Sequence, residues 1–301
     1  MPRAPSNLRR IVRRALPARL AVRWILVLAA LLVVPAAAWP GPASPGGAAS
    51  GGGLEAVKRR GALIVAVKAD FPPFGYIDGR GQLVGFDVDL AHEVARLVLG
   101  DAGKVKLITV TSANRIRLLQ ADQVDAVIAS MTITRDRKQA IDFSVPYFCS
   151  GHLILVGAAG RSIHTFRDLN GHAVATVRGA TGDDVTRVLA PRARRIVFDQ
   201  NSEAVLALKR GRADAFVQDD VLLLGFAKQD PSLTVVGWPP RLPGPYGVGV
   251  RKGDRDLLAA ANVSLARLRA SGVYGKMVAK WFGDIAAKLV PLGSCPPDLR
   301  L

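Results

Sequence analysis

The segment at residues 124–148, VDAVIASMTITRDRKQAIDFSVPYF, changes character along its length. Its four apolar residues at 126–129 have the composition and length of a buried strand. Small hydroxyl residues follow at Ser130 and Thr132, and Arg137 comes after them. In open α/β sheets, ligands bind beyond the carboxyl ends of the strands. The segment therefore predicts a strand end that binds a negatively charged group.

A second segment further along the chain repeats this pattern. RIRLLQADQVDAVIAS at 115–130 aligns with AVLALKRGRADAFVQD at 204–219, and each reads as a helix, a turn, an Asp-Ala pair and an apolar strand. In this alignment Ser130 falls opposite Asp219. Two similar α/β units that face each other would form a cleft, with the hydroxyls and Arg137 on one wall and Asp219 on the other.

The rest of the chain alternates short apolar strands with amphipathic helices. GFDVDLAHEVARLVLG at 85–100 places its apolar residues on one helical face and ends in Gly100. A long amphipathic helix is predicted within 254–272, and a last short helix follows it. This alternation predicts an α/β fold with largely parallel sheets.

The two strand ends have complementary chemistry. A guanidinium matches a carboxylate in plane and can bond to it through two hydrogen bonds, and nearby hydroxyls can fill the remaining lone pairs. Asp219 suits an ammonium group, so an α-amino acid would satisfy both ends. The alternative is that Arg137 pairs with Asp136 or Asp142 on the surface, while Asp219 caps the helix that follows it.

Length and charge limit the possible functions. The chain has 301 residues, which is about the length of two domains, and its formal net charge is +17. Residues 1–53 contain seven Arg and no Asp or Glu, so the remaining chain carries +10, the total less these seven. That excess is scattered and does not cluster with aromatic residues, so nucleic-acid binding is not predicted.

The N-terminal residues have the pattern of an export signal. An Arg-rich stretch leads into an apolar run at 24–34, which is shorter than the ~20 residues of a membrane span. Ala36 and Ala38 form an A-x-A cleavage motif. We expect a signal peptide at 1–38, a flexible leader at 39–53 and an exported, periplasmic protein. An uncleaved membrane anchor is the alternative.

The chain contains two cysteines, Cys149 and Cys295. An oxidising compartment would permit a disulfide that ties the C-terminal tail to the body. Two independent buried thiols are the alternative. No C-x-x-C motif or Cys/His cluster indicates a metal site, and no cofactor is predicted.

Three stretches together resemble a known family. VAVKADFPPFGYIDGRGQLVGFDVDLAHEVA, DAVIASMTITRDRKQAIDFSVPYF and YGVGVRKGD, with LRASGVYGKMVAKWFG near the end, are similar to the family 3 extracellular solute-binding proteins, the amino-acid receptors of ABC importers. The resemblance runs from about residue 54 to 283. It implies a two-lobed periplasmic-binding-protein-like (type 2) α/β fold with a ligand cleft between the lobes. It also implies a small amino-acid ligand, a permease partner in the inner membrane and, as we expect, a monomer.

The same resemblance implies the extent of each lobe. The first lobe would comprise 54–148 and a return segment at 248–286, the second lobe would comprise 149–247, and a C-terminal tail would occupy 287–301.

The resemblance also assigns roles to residues in the cleft. Phe71 would cover the ligand, Arg137 would take the α-carboxylate and Asp219 the α-ammonium. The resemblance also implies ligand contacts from Ser130, Thr132 and Thr181. We expect Met131 to form an apolar wall of the cleft together with Phe71.

Lys68 bears on which amino acid is bound. It ends the first strand, where several relatives that bind polar or basic amino acids carry Asp. An ammonium group beside the ligand would repel basic side chains and favour acidic or polar ones. The alternative is that Lys68 points into solvent.

Two other functions remain possible on this fold. A cyclohexadienyl-dehydratase-like enzyme would need an acid in the cleft, for which Asp70, Asp183 and Asp184 are the candidates, although each is explained more simply as a cap or turn residue. We predict no catalytic residue and no enzyme activity. A sensor domain would need a transmembrane helix and a cytoplasmic module after the lobes, and the sequence indicates neither.

Overall fold

The computed structural model describes residues 53–301. The predicted signal peptide and all but the last residue of the predicted leader lie outside this range. Nine α-helices occur within the described range: α1 (Gly53–Arg60), α2 (Phe86–Leu99), α3 (Arg115–Gln120), α4 (Arg135–Ala140), α5 (Thr181–Leu189), α6 (Asn201–Lys209), α7 (Asp220–Gln229), α8 (Arg255–Ala270) and α9 (Val273–Phe282).

Thirteen strands accompany these helices in the same part of the chain: β1 (Leu63–Val67), β2 (Asp70–Phe71), β3 (Gly75–Ile77), β4 (Leu83–Val84), β5 (Val105–Thr109), β6 (Ala126–Val127), β7 (Ile141–Phe143), β8 (Phe148–Val156), β9 (Ala173–Val177), β10 (Arg194–Phe198), β11 (Ala215–Asp219), β12 (Thr234–Tyr246) and β13 (Gly249–Arg251). Short 3-10 helices lie at Ala158–Gly160, Phe166–Leu169, Gly283–Lys288 and Leu292–Ser294.

The strands form two five-stranded sheets and a small three-stranded one. The first sheet has the order β5-β1-β6-β13-β7, in which β1 is parallel to β5 and β6 while β13 is antiparallel to both its neighbours. The second sheet has the order β10-β9-β11-β8-β12, with β9 parallel to β10 and β11, and β8 antiparallel to β11 and β12. Strands β2, β3 and β4 form the small sheet. The predicted α/β fold is confirmed, and we call the parts around the two large sheets the first and second lobes.

The chain passes between the lobes twice, along two strands that pair with each other. Strand β8 follows β7 of the first sheet, and β12 leads back to β13 of the first sheet. At this crossing Phe148 pairs with Tyr246 and Cys149 with Pro245. The predicted boundaries at 148 and 247 fall at this crossing, and the extents of the lobes stay predictions.

The two strands of the sequence repeat, β6 and β11, occupy equivalent positions in the two large sheets. Strands β6 and β11 each lie beside the first parallel strand of their sheet, β1 and β9 respectively. Strand β6 is shorter than the predicted strand at 126–129 and ends at Val127. The backbone turns sharply three residues after this strand, at Ser130, which has a left-handed φ of 48°.

An aromatic cluster lies in the first lobe beneath the crossing. Phe74 packs edge-on against Phe148, with ring centroids 4.8 Å apart, and also contacts Phe86, Tyr246 and Phe282. All five side chains are buried. Since aromatic rings bury large apolar areas, this cluster gives the two crossing strands a rigid support.

The C-terminal tail is attached to the crossing. Cys295 forms a disulfide with Cys149, the second residue of β8. Leu299, which is buried, donates its N–H to the carbonyl oxygen of Ile133 at 2.9 Å, and Lys138 pairs with Asp298 at 3.0 Å. The tail therefore lies against the segment that leads into α4. No helix within 53–301 is long and apolar enough to cross a membrane.

Candidate functional site

A buried carboxylate shapes the turn after β6. Asp87 of α2 accepts hydrogen bonds from the N–H of Ser130 at 2.7 Å, from its hydroxyl at 2.9 Å and from the Tyr147 hydroxyl at 3.0 Å. These bonds hold Ser130 in its left-handed conformation, which a side chain rarely adopts. Burial raises the pKa of Asp87 to about 6, although the bonds from Ser130 and Tyr147 act in the opposite direction.

Arg137 reaches from the first lobe to the second. It lies in α4, where the Thr134 side chain caps the helix by accepting the Arg137 N–H. Its Nη1 donates to the carbonyl oxygen of Thr132 at 2.7 Å, and its Nη2 donates to the carbonyl oxygen of Gly179 in the second lobe at 2.9 Å. The surface pairing considered for Arg137 does not occur among the described residues, where Asp142 pairs with Lys252 instead.

Gly179 allows the two lobes to approach closely. It has a φ of 74°, and a Cβ atom there would lie 2.8 Å from the Cα of Ala113 and from the carbonyl oxygen of Ser112 in the first lobe. Both values are shorter than real Cβ contacts. A glycine is therefore required at this contact.

The opposite wall carries Asp219 at the end of β11. Its carboxylate accepts the Tyr246 hydroxyl at 2.6 Å and lies 3.3 Å from Nε2 of His152. That Nε2 is 2.9 Å from the Thr181 hydroxyl. Burial raises the pKa of Tyr246, with the Asp219 charge acting in the same direction, so the phenol remains a donor. Asp219 stands at the N-cap position of α7, but its side chain makes no capping bond.

Lys68 is buried and points inward, with 1% of its surface exposed. Its Nζ lies 2.9 Å from Oδ1 of Asp70 but has no partner with hydrogen-bond geometry. Oδ2 of Asp70 accepts the N–H of Asn201 at 2.8 Å and its side-chain amide at 3.1 Å, so this carboxylate also joins the lobes. The solvent-facing alternative for Lys68 is wrong, because Asp70 holds its ammonium inside the protein.

Phe71 and Met131 both lie among packed apolar side chains. Phe71 is buried and meets Phe74 edge-on, with ring centroids 5.8 Å apart. Met131 belongs to the core of the first sheet, and its methyl group would lie 2.5 Å from a Cβ at Gly249. Packing explains the position of the Met131 side chain, whose role in ligand binding stays a prediction.

Arg115 is a buried cation that the sequence reasoning missed. It begins α3, has 3% of its surface exposed and donates from Nη1 to the carbonyl oxygen of Ala129 at 2.6 Å. Its buried Nε has no hydrogen-bond partner. The sequence contained one indication that Arg115 is buried. It lies four residues before the apolar Leu119, which is buried, and so shares its helical face.

The charged groups of the two walls act on one another. Burial lowers the pKa of Arg115 to about 9, the charge of Arg137 acts in the same direction, and Asp219 opposes both. Burial also lowers the pKa of Arg137, and Asp219 is the largest opposing influence. For Lys68, burial lowers the pKa and Asp70 opposes it, while Arg115 adds to the lowering. The charges of Arg137 and Asp219, two of the predicted ligand-binding groups, therefore both act on Arg115.

Within the described residues, no group of three or more His, Cys, Asp or Glu could hold a metal ion. The polar side chains that meet between the lobes are cations, carboxylates and hydroxyls. Such a set can bind a small charged molecule through hydrogen bonds and ion pairs.

A family model described as bacterial extracellular solute-binding proteins, family 3, matches residues 63–284. The chain belongs to this family. The glutamine-binding protein of an ABC transporter from Bacillus subtilis (strain 168) is 36% identical over 237 residues, which cover 78% of this chain and 86% of that relative.

Solved structures agree with this assignment. A mutant of ArgBP from T. maritima is 39% identical, with a TM-score of 0.73 and coverage of 77% of this chain and 100% of that one. An ancestral amino acid-binding protein, AncCDT-1, described as a precursor of cyclohexadienyl dehydratase, is 36% identical, with a TM-score of 0.70 and coverage of 77% and 99%. The two-lobed fold predicted from the sequence is confirmed.

Proposed function

We propose that the protein is the exported substrate-binding protein of an ABC amino-acid importer. It binds a polar or acidic α-amino acid between its lobes, closes on it and delivers it to a permease. The relatives named above support an amino-acid ligand, since their names refer to glutamine binding and amino-acid binding. The relative from Bacillus subtilis is named as a glutamine-binding protein of an ABC transporter, and this supports the permease as partner.

One observation carries the proposal. Arg137 in the first lobe is partly buried and Asp219 in the second is buried, and their opposite charges act on each other. Neither has an oppositely charged protein partner of fixed charge within the described residues. Buried charges are costly unless they are paired. The carboxylate and ammonium groups of an α-amino acid would pair both charges, and a ligand held from both sides would stabilise the closed form.

A thermal-shift screen of the mature protein against the common α-amino acids tests this function. A ligand at one hundred times its dissociation constant stabilises a protein by about 2.7 kcal/mol, which raises the melting temperature measurably. Arg137→Ala should abolish the shift, because truncation of one partner of a buried ion pair costs about 2–5 kcal/mol. Arg135→Ala, an exposed arginine of the same helix, is the matched control and should keep the shift. No shift with any amino acid in the unmodified protein would refute the proposal.

A dehydratase is the alternative, raised by the description of the ancestral relative. The three candidate acids are all engaged: Asp70 binds Lys68 and Asn201, Asp183 pairs with Arg187 and Arg195, and Asp184 pairs with Arg187. These contacts favour binding over catalysis. Formation of product from prephenate or arogenate by the purified protein would decide for the enzyme.

A further inference from the structure

The loop that connects β6 to α4 is held between two other stretches of backbone. We call residues 130–134 the ligand loop, because predicted ligand contacts lie within them. On one side, Ile133 donates its N–H to the carbonyl oxygen of Pro245 in β12 at 2.7 Å, and on the other its own carbonyl oxygen accepts the N–H of Leu299 at 2.9 Å. The loop forms an antiparallel bridge to β12 and a parallel bridge to the C-terminal tail. It therefore lies between a crossing strand and the tail.

Side chains of the tail pack against the same loop. Leu299 is buried, with 3% of its surface exposed. A Cβ atom at Gly244 of β12 would lie 2.6 Å from Cγ2 of Thr132 and 3.1 Å from Cβ of Leu299, so the absence of a side chain lets strand, loop and tail meet here. One position before Leu299, Asp298 pairs with Lys138 of α4 at 3.0 Å. The tail therefore contacts both the ligand loop and the helix that follows it.

A covalent bond closes these contacts into a ring. Cys295 of the tail is joined to Cys149 of β8, and Cys149 pairs with Pro245 in the ladder between the crossing strands. Pro245 holds the ligand loop through Ile133, and Ile133 holds Leu299, from which the tail leads back to Cys295. Because the bond keeps Leu299 close to the loop, their pairing has a high effective concentration. The place of the loop is thus coupled to both crossing strands.

We propose that residues 295–299 and their disulfide form a clasp that positions the ligand loop against the crossing strands, so that the oxidised protein binds an amino acid more tightly than the reduced protein. Leu299 is the positioning residue, since it acts on the loop through the backbone of Ile133. The difference in affinity rests on the proposed function, whereas the clasp exists in the protein without a ligand.

The physical reason is the cost of ordering a loop when a ligand binds. A loop that is already held in its bound conformation loses little conformational freedom at that step, and the affinity gained is seen mainly as slower dissociation. Without the disulfide, the hydrogen bond, the packing and the ion pair described above are what keep the tail on the loop. The ligand would then have to order part of the loop itself.

Reduction of the disulfide opens the clasp. A dithiol reductant breaks the S–S bond, leaves a thiol on each cysteine and is itself oxidised to a disulfide, so that two electrons and two protons pass to the protein. Cys149 is buried, whereas Cys295 is half-buried, so a reductant reaches the sulfur of Cys295 more readily.

Hydrogen exchange followed by mass spectrometry tests the clasp without any ligand. Treatment with dithiothreitol should raise exchange in peptides that cover the ligand loop by about tenfold or more, because the tail no longer protects it. Peptides from β9 in the second lobe are the internal control and should not change, whereas a general loss of stability would raise exchange in both. Cys149→Ser with Cys295→Ser should behave as the reduced protein does and should not respond to dithiothreitol.

Calorimetric and stopped-flow measurements with the common α-amino acids test the effect on binding. Reduction should weaken the tightest binder at least about fivefold and raise its dissociation rate by a similar factor. In the oxidised protein, Leu299→Ala should act in the same direction, and Leu299→Met, which nearly keeps the volume, should restore binding. Leu206→Ala, at an exposed leucine of α6, is the matched control and should bind as the unmodified protein does.

The outcomes separate the clasp from the proposed function. Equal exchange of the ligand loop in the oxidised and the reduced protein would overturn the clasp, whether or not an amino acid binds. Faster exchange with unchanged affinity would overturn its role in positioning the loop for a ligand. If no amino acid binds, the proposed function fails and hydrogen exchange alone decides about the clasp. If the cysteine variant does not fold, the reductant and Leu299→Ala supply the same tests.

Discussion

Asp87 shows how one residue can shape a binding site and cost stability at the same time. It holds the left-handed turn at Ser130, yet its burial raises its pKa to about 6 from a usual value near 3.8. The folded protein therefore binds this proton more tightly than the unfolded chain. The stabilisation that comes from this tighter proton binding is fully present below about pH 4, and it is lost as the pH rises through about 6.

Asp87→Asn should weaken this pH dependence. A pKa shift of this size corresponds to about 3 kcal/mol. Between pH 4 and pH 7 the unmodified protein should therefore lose about this much more free energy of unfolding than the variant does. Denaturant unfolding at several pH values measures the difference. Asp256→Asn, at an exposed position of α8, should follow the unmodified protein. Parallel curves for Asp87→Asn and the unmodified protein would contradict this explanation.

The C-terminal tail is an element that one covalent bond attaches to the crossing strands. The disulfide joins Cys295 to Cys149 across a separation of 146 residues, and the tail then pairs through Leu299 with Ile133. A cross-link over a long loop stabilises mainly by restricting the unfolded chain, typically by about 2–4 kcal/mol. The tail also holds the segment that leads into α4, which carries Arg137.

Replacement of both cysteines, Cys149→Ser with Cys295→Ser, should lower the free energy of unfolding by about 2–4 kcal/mol. Denaturant unfolding with and without dithiothreitol measures the effect. The reductant should bring the unmodified protein close to the variant and should leave the variant unchanged. Equal stability of the oxidised unmodified protein and the variant would show that the bond contributes nothing.

Closure of the whole molecule depends on contacts between the lobes. Arg137 meets the carbonyl oxygen of Gly179, Asp70 meets Asn201, and Gly179 approaches Ala113 without room for a side chain. A ligand that touches both lobes shifts the population toward the form in which these contacts are made.

Gly179→Ala should oppose closure, because the new methyl group would collide with the backbone of the first lobe. We expect ligand affinity to fall at least about tenfold, which is about 1.4 kcal/mol, and the ligand-saturated variant to stay more extended in small-angle scattering. Gly171→Ala is the matched control, since Gly171 has a similar left-handed φ of 88° but no neighbour within 4 Å of a Cβ. Equal effects of the two changes would attribute the loss to backbone strain and not to the contact between lobes.

The sequence alone determined the fold class, and it singled out Arg137 and Asp219. The fold class follows from the alternation of strands and helices, and the two residues follow from the polar positions after apolar strands. These patterns are visible within short segments. The repeat of 115–130 in 204–219 also relates the two strand ends to each other, because it aligns Ser130 with Asp219.

The tertiary structure decided the contacts between residues that are distant in sequence. Asp70 and Asn201 are 131 positions apart, and only the closed arrangement brings them together to hold Lys68 inside. Buried Arg115 likewise donates to the carbonyl oxygen of Ala129, 14 positions away, and the disulfide to Cys149 attaches the tail. Burial and pairing of charges are properties of the packed molecule, because they depend on which distant groups exclude water from a site, and no short stretch of sequence contains that information.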